Sequence, residues 1–239
     1  MRRISNIENL VSSIEKRESL AVESSLSVEK IRLLEQKAKE LGLDERILIE
    51  NASSSLFRAI RRLNLGRKAL VISGKGNNGA DVLSCARKLF SRGYKVKAAV
   101  LEEKIPNEEV LFQKGVLEKI KLPLYSIKQD NISELKALLR GCDFILEGIL
   151  GIGVKGILSP FLQEVISVIN KSGKKIISCD IPSGLSPDEG KVLGAAIKAD
   201  WTVTFIAPKK SFFTNKGKDY RGKILVADIG ISREILEKI

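Results

Sequence analysis

The chain has 239 residues, of which 44% are hydrophobic and 29% charged, as expected of a globular protein with a sizeable buried core. It contains no histidine, which excludes Ser–His and Cys–His catalysis and imidazole metal sites. The net charge of +12 is spread over short basic groups such as Lys209 with Lys210, so we interpret it as a solvated surface and do not expect nucleic acid as a partner.

The N-terminal part of the chain contains an extension and two predicted helices. Residues 1–26 are polar and serine-rich, and we assign them to an extension that precedes one domain over residues 27–239. The first helix follows Ser27, the predicted N-cap, and ends at Gly42, because its apolar residues recur at helical spacing. A second helix is predicted from about residue 44 to 62.

From residue 68 onward, short apolar strands alternate with helices. Strands are predicted over residues 68–73, 94–101, 122–127, 142–147, 174–181, 200–208 and 222–230. Helices are predicted from near Gly79 to Ser91 and over residues 107–120, 132–140 and 159–172. This alternation predicts an α/β fold with a mostly parallel central sheet that is covered on both faces.

Cysteine usage and hydropathy indicate the environment of the chain. Three cysteines lie far apart among apolar neighbours, so we expect reduced, buried thiols at Cys85, Cys142 and Cys179. No apolar run approaches the roughly 20 residues of a membrane span, and the N-terminus lacks the apolar core of a signal peptide. We therefore expect a soluble, cytoplasmic protein without a membrane partner.

Three loops follow predicted strands and carry the chemistry. They have the sequences SGKGNNGAD (73–81), EGILGIGVKG (147–156) and CDIPSGL (179–185). In open α/β sheets such loops meet beyond the carboxyl ends of the strands, where ligands bind. The glycines of the first loop let backbone approach a phosphate, and the following helix offers unpaired N–H groups.

The first loop has the glycine spacing of a dinucleotide-binding fingerprint. An NAD-dependent oxidoreductase would need an acid after the next strand, and Glu102 or Glu103 could serve. That interpretation does not explain Asn77 and Asn78. Their amide oxygens could bind a hard cation, or the two residues could simply allow a left-handed turn.

An acid ends each of two other apolar strands. Glu147 ends one strand and Asp180 the next, and Pro182 then fixes a turn that presents Ser183. An acid at such a position is rarely there for packing, although Asp180 could simply cap the turn.

Taken together, these three loops resemble the NAD(P)H-hydrate epimerases, the family of the YjeF N-terminal domain, over residues 27–232. The resemblance implies a Rossmann-like three-layer αβα sandwich that is often dimeric. It also implies an isomerase that interconverts the R and S forms of hydrated NADH and NADPH (NADHX and NADPHX). The dinucleotide would then be the substrate rather than a hydride carrier.

The resemblance also implies roles for particular residues. Two groups would contact the substrate: Asn77, Asn78, Gly79, Ala80 and Asp81 in the first loop, and Gly151, Ile152, Gly153, Val154, Lys155, Gly156 and Ile157 in the second. Potassium (K+) is the implied cofactor, with ligands Asn78, Glu147 and Ser183. Asp180 would contact the reacting hydrate, and we assign it the catalytic proton transfer.

The chain departs from the family pattern in the first two loops. Ala80 and Val82 replace glycines, and Glu147 replaces the usual Asp. Val82 could crowd the substrate, so a non-catalytic nucleotide- or RNA-binding scaffold on the same fold is the alternative function. The dehydratase domain that often follows in the family is absent from the sequence, which predicts a separate hydrate dehydratase as partner.

Overall fold

The computed structural model describes residues 25–231 and contains a seven-stranded sheet in which all neighbouring strands are parallel. The strands are β1 (Lys68–Ser73), β2 (Lys95–Leu101), β3 (Leu124–Ile127), β4 (Phe144–Gly148), β5 (Lys175–Cys179), β6 (Trp201–Phe205) and β7 (Lys223–Ala227). Their spatial order is β3-β2-β1-β4-β5-β6-β7. The predicted α/β class is therefore confirmed, whereas the extension assigned to residues 1–26 lies almost wholly outside the described residues.

Seven α-helices accompany the strands within the described residues. They are α1 (Val28–Glu40), α2 (Glu45–Leu63), α3 (Asn77–Ser91), α4 (Glu108–Lys119), α5 (Ile132–Arg140), α6 (Pro160–Asn170) and α7 (Asn215–Arg221). One apolar cluster packs α2, α3 and α4 on one face of the sheet, and a second packs α5 and α6 on the other. Successive β1 residues alternate between these clusters, because side chains of a strand point to opposite faces. The result is the expected three-layer αβα sandwich.

Local capping determines where the first two helices begin. The Ser27 hydroxyl accepts a hydrogen bond from the Lys30 amide at 3.4 Å, as predicted for an N-cap. Asp44 does the same for α2, accepting from the Ile47 amide at 3.0 Å. Because α2 ends at Asn64 in the left-handed conformation (φ 49°), its last turn closes without a glycine.

Two helical predictions need correction. Helix α3 begins at Asn77 rather than near Gly79, because Gly76 already takes the N-cap position. Helix α7 was not predicted, since its sequence NKGKDYR has no apolar periodicity. Thr214 caps it by accepting from the Gly217 amide at 3.0 Å.

The order of the strands determines where a ligand can bind. The chain runs outward from β1 to β3 on one side, and β4 then pairs with β1 on its other side. Connections on the two sides leave in opposite directions, so a crevice opens beyond the carboxyl ends of β1 and β4. The three loops selected from the sequence lie at this edge of the sheet.

Candidate active site

A cavity of about 720 Å³ lies at this edge of the sheet, between helix α1 and the loops that follow β1, β4, β5 and β6. Most of the predicted substrate-contacting residues line it: Asn77, Asn78, Gly79, Asp81, Gly151, Ile152, Gly153, Val154, Lys155, Ile157 and Asp180. The predicted contacts Ala80 and Gly156 are not part of its wall. Ala80 is fully buried in the core behind the loop.

The glycines of the first loop have distinct reasons to be there. A Cβ on Gly74 would lie 1.8 Å from the Ile149 carbonyl oxygen, and one on Gly79 would lie 2.3 Å from the Gly74 carbonyl oxygen. Gly74 therefore allows the first loop to pack against the second, and Gly79 allows the first loop to fold tightly on itself. A Cβ on Gly76 would meet no atom within 4 Å. Because Gly76 is the N-cap and has no side chain, the first N–H groups of α3 stay open toward the cavity.

The two asparagines hold the loops together. The Asn77 amide donates to Glu45 at the start of α2 and accepts from Asn107 at 2.7 Å. The Asn78 amide donates to the carbonyl oxygens of Cys179 at 2.9 Å and Leu150 at 3.3 Å. Both asparagines lie in helix α3, so the suggestion that they serve a left-handed turn is wrong.

Val82 does not enter the cavity. Its side chain is fully buried in the core, and a Cβ on Gly148 would lie 2.7 Å from the Val82 Cγ1. The glycine at the end of β4 thus provides the room for the valine on α3. Val82 therefore does not crowd the cavity in which we expect the substrate.

Glu147 is enclosed by hydrogen bonds at the end of β4. Its Oε1 accepts from the Ser178 hydroxyl at 2.5 Å and the Ser183 amide at 3.1 Å. Its Oε2 accepts from the Ser183 hydroxyl at 2.5 Å and the Ile149 amide at 3.2 Å. Burial raises the Glu147 pKa, and these hydrogen bonds lower it in part. Among the described residues, no Lys or Arg side chain pairs with this buried carboxyl.

The three residues predicted to bind potassium do come together. Ser183 bridges the others, since its hydroxyl contacts Glu147 and accepts from the Leu150 amide at 2.9 Å. The Leu150 carbonyl in turn receives the Asn78 amide. Carbonyl, hydroxyl and carboxylate oxygens of the second and third loops therefore converge on one place beside the cavity, and Asn78 of the first loop points its amide nitrogen there.

Asp180 has one oxygen in use and one without a partner. It is buried and lines the cavity, with a left-handed backbone (φ 64°) that aspartate tolerates better than most residues. Its Oδ1 accepts from the Phe205 amide at 3.1 Å and the Thr204 hydroxyl at 3.2 Å, and pairs with Lys209. Among residues 25–231, Oδ2 receives no hydrogen bond. A carboxyl with one oxygen open to a cavity suits proton transfer.

Lys209 was misread in the sequence as part of a solvated basic pair. Only 1% of its surface is exposed, and its ammonium contacts Asp180, the Thr204 hydroxyl at 3.0 Å and the Phe205 carbonyl oxygen at 3.2 Å. The neighbouring Lys210 is exposed, as expected. One sequence signal could have placed Lys209 near Asp180: Lys209 follows β6, which pairs with β5, and Asp180 follows β5.

Asp81 and Glu35 are two further acidic groups of the cavity wall. Asp81 is buried, and burial together with nearby Asp180 raises its pKa well above the usual range. Glu35, on α1, was not selected from the sequence. Basic side chains also reach the wall, from Arg32, Lys75, Lys104 and Lys155.

The remaining expectations concern cysteines, acids and membranes. Cys85, Cys142 and Cys179 are buried and unpaired, as predicted. Glu102, a candidate ribose acid, accepts from Ser126 at 2.6 Å, whereas Glu103 lines the cavity. None of the helices in the described part of the chain has the length and hydropathy to cross a membrane.

Comparison with known proteins adds independent observations. The family described as YjeF-related protein N-terminus matches residues 45–211. An Elusimicrobium minutum protein named NAD(P)H-hydrate epimerase is 35% identical over 225 residues, which cover 90% of this chain and 99% of that protein. A Limosilactobacillus fermentum protein of the same name is 31% identical over 209 residues, covering 86% of this chain and 97% of that one.

Longer relatives and a solved structure agree. A Dictyoglomus turgidum protein named bifunctional NAD(P)H-hydrate repair enzyme Nnr is 35% identical over 87% of this chain, which spans 40% of that relative. The crystal structure of the yeast protein ynu0 superposes with a TM-score of 0.70 at 24% identity, covering 78% of this chain and 82% of that one. The yeast structure supports the fold.

Proposed function

Since the chain belongs to the family of YjeF-related N-terminal domains, we propose that it is an NAD(P)H-hydrate epimerase, an isomerase that interconverts the R and S forms of hydrated NADH and NADPH. The observation that carries this proposal is Asp180, a buried acid beside the N-terminus of α3. One of its oxygens receives no hydrogen bond from any described residue and faces a cavity large enough for a dinucleotide. Relatives that this chain spans almost completely carry the same name.

The cavity supplies what a dinucleotide needs. The open N-terminus of α3 offers amide donors and a partial positive charge to the diphosphate. Lys75, Lys104 and Lys155 on the wall add positive charge near it. Apolar residues of the same wall, Ile31, Leu48 and Ile152 among them, suit the faces of the rings.

The reaction follows from the chemistry of the hydrate. Its hydroxyl group lies on C6, next to the ring nitrogen. After an acid has given this hydroxyl a proton, the nitrogen lone pair expels it as water and leaves a planar iminium. Water then adds to the opposite face. Asp180 accepts a proton from the adding water through Oδ2, and its charge stabilises the cationic ring. Lys209 fixes Oδ1 through the buried ion pair, which leaves Oδ2 facing the cavity.

We also propose potassium as the cofactor, held by Asn78, Glu147 and Ser183 with the carbonyl oxygens around them. The donor set fits, because it offers oxygens of several kinds and a buried carboxylate without a cation among the described residues. Bound there, a monovalent cation supplies positive charge beside the cavity. Asn78 would have to turn its amide so that the oxygen faces the ion.

Partners and location follow from the same proposal. The substrates are NADHX and NADPHX, and a hydrate dehydratase would use the epimer that the enzyme delivers. We propose a homodimer, as the resemblance implies, and a cytoplasmic location, as expected from the sequence.

A binding scaffold without catalysis is the less favoured alternative. Its main argument was the obstruction by Val82, and that side chain lies in the core. A hydride-transferring oxidoreductase is also disfavoured, because the relatives are named for an epimerase and Glu102 is engaged with Ser126.

The test is conversion of one purified epimer to the other. The purified chain is incubated with R-NADHX or S-NADHX, and the two epimers are separated by chromatography against a blank without protein. We expect both starting epimers to reach the same mixture faster with the protein than in the blank. Conversion no faster than the blank, together with RNA binding, would contradict the proposal and support the scaffold.

A further inference from the structure

Glu35 brings a second carboxyl to the cavity from an element unrelated to the loops. It is half-buried on α1, lines the cavity with Ile31 and Arg32, and precedes the residues matched by the family. The segment before α1 is fixed next to Lys209, because the Leu26 amide donates to the Pro208 carbonyl oxygen at 3.0 Å. The helix therefore covers the cavity from a wall that Asp180 does not belong to.

The charges around Glu35 come from its own helix and from four other elements. They are Lys39 on α1, Glu45 on α2, Asp81 on α3, Asp180 after β5 and Lys209 after β6. Burial is the main cause that raises the Glu35 pKa from 4.5 to about 7, Asp180 raises it further, and Lys209 lowers it in part. Near neutral pH, Glu35 is therefore partly protonated while Asp180 is paired with Lys209.

The proposed reaction needs proton transfer on two faces of one ring. In the R and S hydrates the C6 hydroxyl lies on opposite faces, so water leaves from one face and adds to the other. A single carboxyl reaches only one face of a bound, planar ring, since proton transfer requires hydrogen-bond distance. An acid on a second wall of the cavity meets this requirement.

We infer, on the basis of the proposed function, that Glu35 is the second catalytic residue and serves the ring face that Asp180 does not reach. In one direction the Glu35 carboxyl gives its proton to the C6 hydroxyl. The C6–O bond breaks, water leaves, and the nitrogen lone pair forms the C=N bond. Water then adds from the other face, the C=N electrons return to nitrogen, and the released proton goes to Asp180. The reverse reaction uses the same groups in exchanged roles, and solvent resets their protons.

The experiment separates bond breaking from inversion. Glu35→Gln keeps the size of the side chain and removes the proton. With each epimer in water enriched in oxygen-18, we expect epimerisation to fall by about 10²-fold or more. Exchange of the hydroxyl with solvent should persist for the one epimer whose hydroxyl faces Asp180, because that face keeps its acid. Glu35→Asp should recover part of the epimerisation.

A matched control and a pH profile complete the test. Glu40→Gln changes an exposed acid on the same helix, whose described partner is Gln36 on the next turn, and should leave all rates unchanged. For the epimer protonated by Glu35, the native rate should fall above about pH 7. This fall of the rate above about pH 7 should be absent in Glu35→Gln.

Three results would overturn the inference. Epimerisation by Glu35→Gln within about twofold of the native rate would remove Glu35 from the reaction. Loss of oxygen exchange from both epimers, in a variant that melts like the native chain, would assign it a positioning role. A native chain that converts neither epimer would overturn the proposed function itself, a result distinct from either of these.

Discussion

Glu147 and Asp180 are buried carboxyls after neighbouring parallel strands, yet their surroundings differ. Both oxygens of Glu147 are saturated by neutral donors, two hydroxyls and two amides. Asp180 has a cation on one oxygen and no described hydrogen bond on the other. A saturated carboxylate has little capacity for proton transfer, whereas an open one beside a cavity is available to substrate. The difference supports the proposed proton transfer at Asp180 rather than at Glu147.

The largest effect is expected from Asp180→Asn. Asparagine tolerates the left-handed backbone and can accept at Oδ1, so the fold should persist. Epimerisation should fall by about 10²–10⁴-fold, because the amide does not transfer protons. The rates of both directions, measured beside a circular-dichroism spectrum, check this. Glu147→Gln is the comparison, and equal losses in the two variants would erase the distinction between the carboxyls.

Lys209→Met tests the ion pair. Removing one partner of a buried pair leaves the other charge uncompensated, and we expect a loss of about 3–5 kcal/mol in the free energy of unfolding. Denaturant titration measures it. The double variant Asp180→Asn with Lys209→Met should regain stability without activity. A double variant no more stable than Lys209→Met would show that packing, rather than charge, holds this site.

The response of thermal stability to potassium tests the proposed role of Glu147. At roughly five times its Kd, potassium should stabilise the native chain by about 1 kcal/mol relative to lithium. Thermal melting in the two salts measures this. Glu147→Gln should lose the response because the negative charge is gone, while Glu147→Asp, the residue usual in the family, should keep it. If each of the three proteins melts at the same temperature in potassium as in lithium, the cation site is refuted.

The smallest effect on the site is expected at Val82, whose side chain lies in the core beside Gly148. Val82→Gly should lower the free energy of unfolding by about 3 kcal/mol, through a cavity and a helical glycine. Dinucleotide binding, followed by calorimetry with NADH, should be unchanged because the side chain does not reach the cavity. Tighter binding by the variant would mean that Val82 does restrict the pocket.

Patterns along the chain were enough to predict the alternation of strands and helices, the parallel sheet and the three loops at its edge. These features depend on local periodicity, capping residues and glycine placement, which are visible within short windows. The same patterns also located both acids, since each directly ends an apolar strand. The resemblance then supplied the roles that no local pattern contains.

The contacts among these groups could not be predicted from the chain, because they join residues that are far apart in the sequence. The Lys209–Asp180 pair joins residues 29 positions apart, and Glu35 reaches the cavity only because α1 folds over the loops. The direction of Val82 depended on the room left by Gly148 on another strand. Burial turned an apparent surface lysine into the partner of an acid, because the cost of an unpaired charge in the interior forces the two together.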